Sequence, residues 1–79
     1  MRLYHLSKPI SRAEVVKLLR IKKPFWRAGS RGDNSWTYLY SGGEKRGGVC
    51  DCGRGSSDWV LLDENGYKAF VQAKLKPRL

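Results

Sequence analysis

The chain has little of what catalytic and secreted domains rely on. Its 79 residues include one histidine, His5, and two cysteines, Cys50 and Cys52. A C-x-C pair with one remote His supplies fewer ligands than a structural zinc site requires. No phosphate-cradling glycine motif and no pair of carboxylates at catalytic spacing is present, so the sequence reads as a non-enzyme with no metal and no cofactor. A bridge between Cys50 and Cys52 would close a very small ring and restrain little chain entropy, so both thiols are read as reduced and the protein as cytoplasmic. No apolar run approaches the roughly 18 residues of a membrane-spanning helix. Arg2 follows Met1 with no apolar stretch behind it, so no secretory signal and no membrane association are expected. Acid is scarce as well, with seven Asp and Glu against sixteen Lys and Arg, a net charge of +9.

What the chain does have is aromatic mass and positive charge. Hydrophobic residues make up 41% and include three Trp, four Tyr and two Phe, enough for one small globular domain over residues 1–79. A chain this short buries only about 60% of its unfolded surface, so the core has to be compact. The charge is uneven. Residues 1–31 hold nine basic groups and one acid, residues 32–66 three basic groups and six acids, and residues 67–79 four basic groups and no acid. A positive field concentrated in the first third favours a polyanion, and nucleic acid is the polyanion expected.

Along the chain, Leu3 to Leu6 suit a short strand or a packing arm that Ser7, Lys8 and Pro9 break. Ser11 with Glu14 three residues later forms a capping box, and Ile10 and Val15 occupy the hydrophobic-staple positions around it. The helix that follows runs through SRAEVVKLLRIK and stops before Pro24. Val15, Val16, Leu18 and Leu19 share its apolar arc, with Arg12, Lys17, Arg20 and Lys23 on the neighbouring flank. Residues 24–31 admit two readings. One is a short second helix opened by Pro24, with Phe25 and Trp26 inward and Arg27 and Arg31 one turn apart; the other is a loop from 24 to 35. Trp36 to Tyr40 read as a strand whose alternate aromatics, Trp36, Tyr38 and Tyr40, share a face. Residues 41–57 contain six glycines and read as a long mobile loop or a loose hairpin tip, that is, a wing tip. Trp59 to Leu62 form a second strand. Residues 63–75 fit a helix capped by Asp63, the favoured reading, or the second arm of a hairpin turning at Asn65-Gly66.

Two stretches carry a family resemblance: Ile10-Ser11-Arg12-Ala13-Glu14-Val15-Val16-Lys17-Leu18-Leu19 and Trp59 through Val71. They resemble the opening and closing segments of the small winged helix-turn-helix domains of phage excisionases and MerR-like regulators. The resemblance covers about 30 residues and implies an α+β fold, a small winged helix-turn-helix with a long glycine-rich wing. It also implies a regulatory or architectural protein of a phage or mobile element, acting on double-stranded DNA in excision or transcription control within a bacterial cell or its nucleoid.

In such a fold the second helix enters the major groove and the wing touches the backbone or minor groove. Arg27 and Arg31 are then the candidates for base edges. Arg12, Arg20, Lys22 and Lys23 would neutralise phosphates, and Lys45 and Arg46 would meet DNA at the wing tip. Two other functions fit the same residues. One is an RNA or single-strand binder that stacks bases on Trp36, Tyr38 and Tyr40. The other is a small phage-encoded inhibitor that docks on a host or defence protein through the mobile 41–57 segment.

Overall fold

In the computed structural model, which describes residues 1–51 and 56–73, the elements in chain order are β1 (Arg2–Ser11), α1 (Arg12–Leu19), β2 (Phe25–Arg31), β3 (Asn34–Ser41), β4 (Glu44–Cys50), β5 (Ser56–Leu62) and α2 (Glu64–Gln72). The strands form one antiparallel sheet in the order β1-β5-β4-β3-β2. Two-residue turns build its centre. Gly42 and Gly43 both hold positive φ, at 61° and 81°, the backbone of a type I′ hairpin between β3 and β4. Gly32, at φ 60°, opens the turn between β2 and β3. Turns of this hand match the right-handed twist of the strands they join.

The winged helix-turn-helix is therefore not the fold. Helix accounts for 25% and strand for 56% of the structure, and the element that directly follows α1 is the strand β2. Residues 24–31, expected as a recognition helix or a loop, contain the edge strand β2, which pairs along its length with β3 from Phe25–Tyr40 to Arg31–Asn34. An isolated turn or two of helix carrying Gly29 is unstable in water, whereas this pairing satisfies one edge of the strand outright. The stretch expected as a glycine-rich wing contributes β4 instead, with Gly47, Gly48, Val49 and Cys50 buried. Cys52 to Gly55 lie outside the described residues, as does the chain beyond Ala73.

Glycine is what allows β4 to sit at the centre of the sheet. A Cβ on Gly47 would stand 2.7 Å from the Leu61 carbonyl oxygen, and one on Gly48 2.9 Å from the Tyr38 ring. A register shift lies beside them, between Leu39 and Tyr40, so that Leu39 faces Gly47 while Tyr40 faces Lys45. Arg46 is the extra residue of this bulge.

Both helices begin and end as local chemistry dictates. Ser11 Oγ accepts the Glu14 N–H at 3.2 Å, and Glu14 Oε1 accepts the Ser11 N–H at 3.3 Å. At the other end of α1, Arg20 adopts φ 56°, and the N–H groups of Arg20 and Ile21 return to the carbonyls of Lys17 and Val16. This is the Schellman arrangement, with arginine where glycine is usual. Asp63 caps α2 by accepting the Gly66 N–H at 2.7 Å, so the helical reading of this segment holds through Gln72. The expected break at Ser7 to Pro9 appears as a register shift between His5 and Ile10 within a continuous β1. Proline, which lacks an N–H, is tolerated at such an irregularity on an edge strand.

The main core lies between the sheet and the helices. It joins Tyr4, Leu6 and Ile10 of β1 to Val15 of α1, Leu39, Val49, Val60 and Leu62 of the inner strands, and Phe70 of α2. A smaller cluster lies on the opposite face, where Trp36, Cys50 and Leu61 are buried and Leu3, Tyr38 and Trp59 pack against them. No helix among the described residues contributes to it. None of those helices is long and apolar enough to cross a membrane.

Candidate nucleic-acid interface

Strand register determines which side chains share the face away from the helices. Residues directly opposite in an antiparallel pair point the same way, and successive residues alternate. Phe25 lies opposite Tyr40, Arg27 opposite Tyr38, and Arg31 opposite Asn34. Across the next ladder, Tyr38 faces Gly48 and Tyr40 faces Lys45. One side of the β2–β3–β4 unit thus carries Phe25, Arg27, Arg31, Trp36, Tyr38, Tyr40 and Lys45. Trp26, one residue out of phase, packs against the main core instead.

Tyr38 is the centre of this face. Its ring lies across the neighbouring strands, one edge where a Gly29 Cβ would be (2.6 Å) and the other where a Gly48 Cβ would be (2.9 Å). Its hydroxyl donates to the Ser30 carbonyl at 2.9 Å, and the Lys45 ammonium stands 4.3 Å from the ring centroid, within cation–π range. Trp36 lies nearly parallel to Tyr38, with centroids 6.3 Å apart and 14° between the planes. Trp36 is only 3% exposed, so it belongs to the smaller cluster and offers no surface to a base. Of the three aromatics expected as a stacking platform, one is buried and one is overlaid by a lysine, which leaves Tyr40. The same face adds Phe25, expected to pack inward as part of a helix and instead 63% exposed on the edge strand.

The ion pairs lie elsewhere. Arg12 Nη2 binds Asp51 Oδ1 at 2.7 Å and also donates to Thr37 Oγ1 at 2.9 Å, with its guanidinium 5.9 Å from the Trp26 ring. Arg46 Nε meets Asp63 Oδ2 at 3.3 Å, His5 meets Asp58 at 2.8 Å, and Lys68 meets Glu64 at 3.8 Å. Among the described residues no ion pair engages Arg20, Lys22, Lys23, Arg27 or Arg31, and all five are exposed. The acids nearest this face in sequence, Asp33 and Glu44, sit at the two hairpin turns and are exposed too.

The eight cations expected to contact DNA do not form one surface. Arg27, Arg31 and Lys45 share the face away from the helices, and Lys23 lines a hollow there with Phe25, Arg27 and Tyr40. Lys22 lies beside Lys23 in the connection between α1 and β2. Arg12 is tied to Asp51 and Thr37. Arg20 and Arg46 line the cleft between α1 and α2 on the other side of the sheet. Lys45 and Arg46, expected together at a wing tip, lie on opposite faces of the sheet, and the bulge in β4 puts Lys45 on the side of Tyr40. Sequence reasoning missed Phe25 as a surface residue because it placed residues 24–31 on a helix. Two signals pointed to the strand: Gly32-Asp33 and Gly42-Gly43 are both two-residue hairpin dipeptides, spaced to leave strands of seven and eight residues beside Gly32.

Comparison with known proteins finds no match for this chain among protein-family models, curated proteins or solved structures.

Proposed function

We propose that the chain is a nucleic-acid-binding protein that holds a sugar-phosphate backbone against the β2–β3–β4 face of its sheet. The observation that carries this reading is the pairing pattern. Acids engage cations on the helix side and at the sheet margins, while Arg27 and Arg31 project from one strand face outside every ion pair among the described residues, with Lys23 and Lys45 beside them. Cations kept free of acids on a chain of net charge +9 release condensed counterions when they meet phosphates, which makes binding favourable and salt-dependent.

A second reading, a regulatory or architectural protein on duplex DNA, has one observation in its favour. The β2–β3 hairpin is a two-stranded ribbon with two arginines on one face, a shape the major groove admits, and arginine can bond guanine through two acceptors at once. The protein-docking alternative leaned on a mobile 41–57 segment, and β4 now occupies Glu44–Cys50, so that support is gone.

Fluorescence anisotropy with single-stranded DNA, RNA and duplex probes at two salt concentrations tests the proposal. We expect binding at low salt, a log–log salt slope of magnitude about 2–4, and a reduction of that slope by about one in Arg27→Ala. No binding of any probe at low salt would overturn the reading.

A further inference from the structure

The same face contains a hollow whose lining goes beyond charge. We infer that the hollow between Phe25 and Tyr40 is a pocket for a single unpaired nucleobase, which makes single-stranded nucleic acid the ligand of this face. The inference rests on the nucleic-acid reading above and narrows it.

Four features of the hollow converge. First, Phe25 and Tyr40 are direct cross-strand partners, so both side chains leave the same face of the sheet at neighbouring positions, and both line the hollow. Exposed single hydrophobics are ordinary; what sets Phe25 apart is that its 63% exposed ring borders a hollow of about 280 Å³. Second, the wall beyond Tyr40 is the Gly42–Gly43 turn, and a Cβ at either glycine would meet nothing within 4 Å. Apart from Ser41, that wall is glycine backbone and carries no side chain. Third, Lys23 and Arg27 flank Phe25 along the chain and line the same hollow. Both are exposed and outside every ion pair among the described residues. Cations at the rim of the hollow suit the phosphates that adjoin an inserted base. Fourth, the other aromatics on this side of the sheet are engaged: Trp36 is buried, Tyr38 meets Lys45 and the Ser30 carbonyl, and the half-buried Trp59 packs against His5.

An aromatic surface bordered by cations recognises a base attached to a phosphate backbone. A base paired and stacked within a duplex cannot enter such a hollow without being extruded, which costs a few kcal/mol. Stacking on an aromatic ring is tolerant of base identity because every base has a π-face. The pocket therefore selects strandedness more than sequence.

Phe25→Ala is the decisive variant, since its side chain is exposed and lies outside both buried clusters. Dissociation constants are measured for a short oligothymidylate and for a duplex of equal length, with wild type, Phe25→Ala, Phe25→Trp and Arg27→Ala. The inference expects Phe25→Ala to weaken oligothymidylate binding by roughly tenfold or more and to leave any duplex binding within about twofold. It expects Phe25→Trp to retain single-strand affinity and Arg27→Ala to weaken both probes. Unchanged oligothymidylate affinity in Phe25→Ala, with a loss in Arg27→Ala, would overturn the pocket and leave the phosphate-binding face standing. Equal losses on both probes in Phe25→Ala would do the same. Failure of the wild type to bind either probe would overturn the function and the pocket together.

Discussion

Tyr38 shows how a single side chain shapes this protein. Its ring fits flat across the sheet only because Gly29 and Gly48 leave the space where two Cβ atoms would stand. Gly48→Ala places a methyl 2.9 Å from the Tyr38 ring and 3.3 Å from the Thr37 carbonyl. The backbone oxygen cannot swing aside as a flexible side chain can. We expect Gly48→Ala to lower stability by about 1–3 kcal/mol, read as a shifted urea midpoint at unchanged m-value. Glycine pulls a sequence reading the other way, because a glycine-rich run lacks the side chains by which strands are recognised. Here Gly47 and Gly48 make room for neighbouring strands and rings, information that belongs to the partner strand and is invisible in the local sequence. Arg12 shows a related limit. Its charge was legible, but its engagement by Asp51 and Thr37, 39 and 25 residues away, depends on the completed sheet.

At the scale of elements, what could be read was what is local. The capping box at Ser11 and Glu14, the staple of Ile10 and Val15, and the Asp63 cap of α2 each involve residues a few positions apart, and each formed where the sequence placed it. The strands at Trp36 to Tyr40 and Trp59 to Leu62 were legible from their aromatic and branched residues. Strand β2 was not, because Pro24 and two arginines one helical turn apart fit a helix start as well as they fit an edge strand. Pairing with β3 decides between these, and pairing is a property of two segments. The end of α1 carries its own test. Arg20 holds a left-handed backbone that costs an ordinary residue about 1 kcal/mol and glycine almost nothing. Arg20→Gly should therefore raise stability by about 1 kcal/mol, offset in part by the greater freedom of glycine in the unfolded chain, as measured by thermal or urea unfolding. Arg20 lines the cleft between the helices, on the far side of the sheet from Arg27. The same variant should therefore leave nucleic-acid affinity within about twofold.

For the molecule as a whole, the sheet separates two kinds of surface. The helix side holds the larger core, the helix caps and the Arg46–Asp63 pair. The other side carries Phe25, Tyr40 and the arginines of β2, which no ion pair engages among the described residues. The excess of positive charge in residues 1–31 was plain from composition, yet its distribution was not, since those residues span β1, α1 and β2 and so reach both edges of the sheet. Only the β2 portion, with Lys45 from the adjoining hairpin, collects on one face. The central claim is that nucleic acid sits on that face. Backbone amide shifts of the isotope-labelled protein, followed by NMR during titration with single-stranded DNA, test it most directly. The account predicts perturbations concentrated in residues 23–31 and 38–45, with α1 and α2 unmoved. Perturbations centred on the cleft around Lys17, Arg20 and Arg46, or none at low salt, would contradict it.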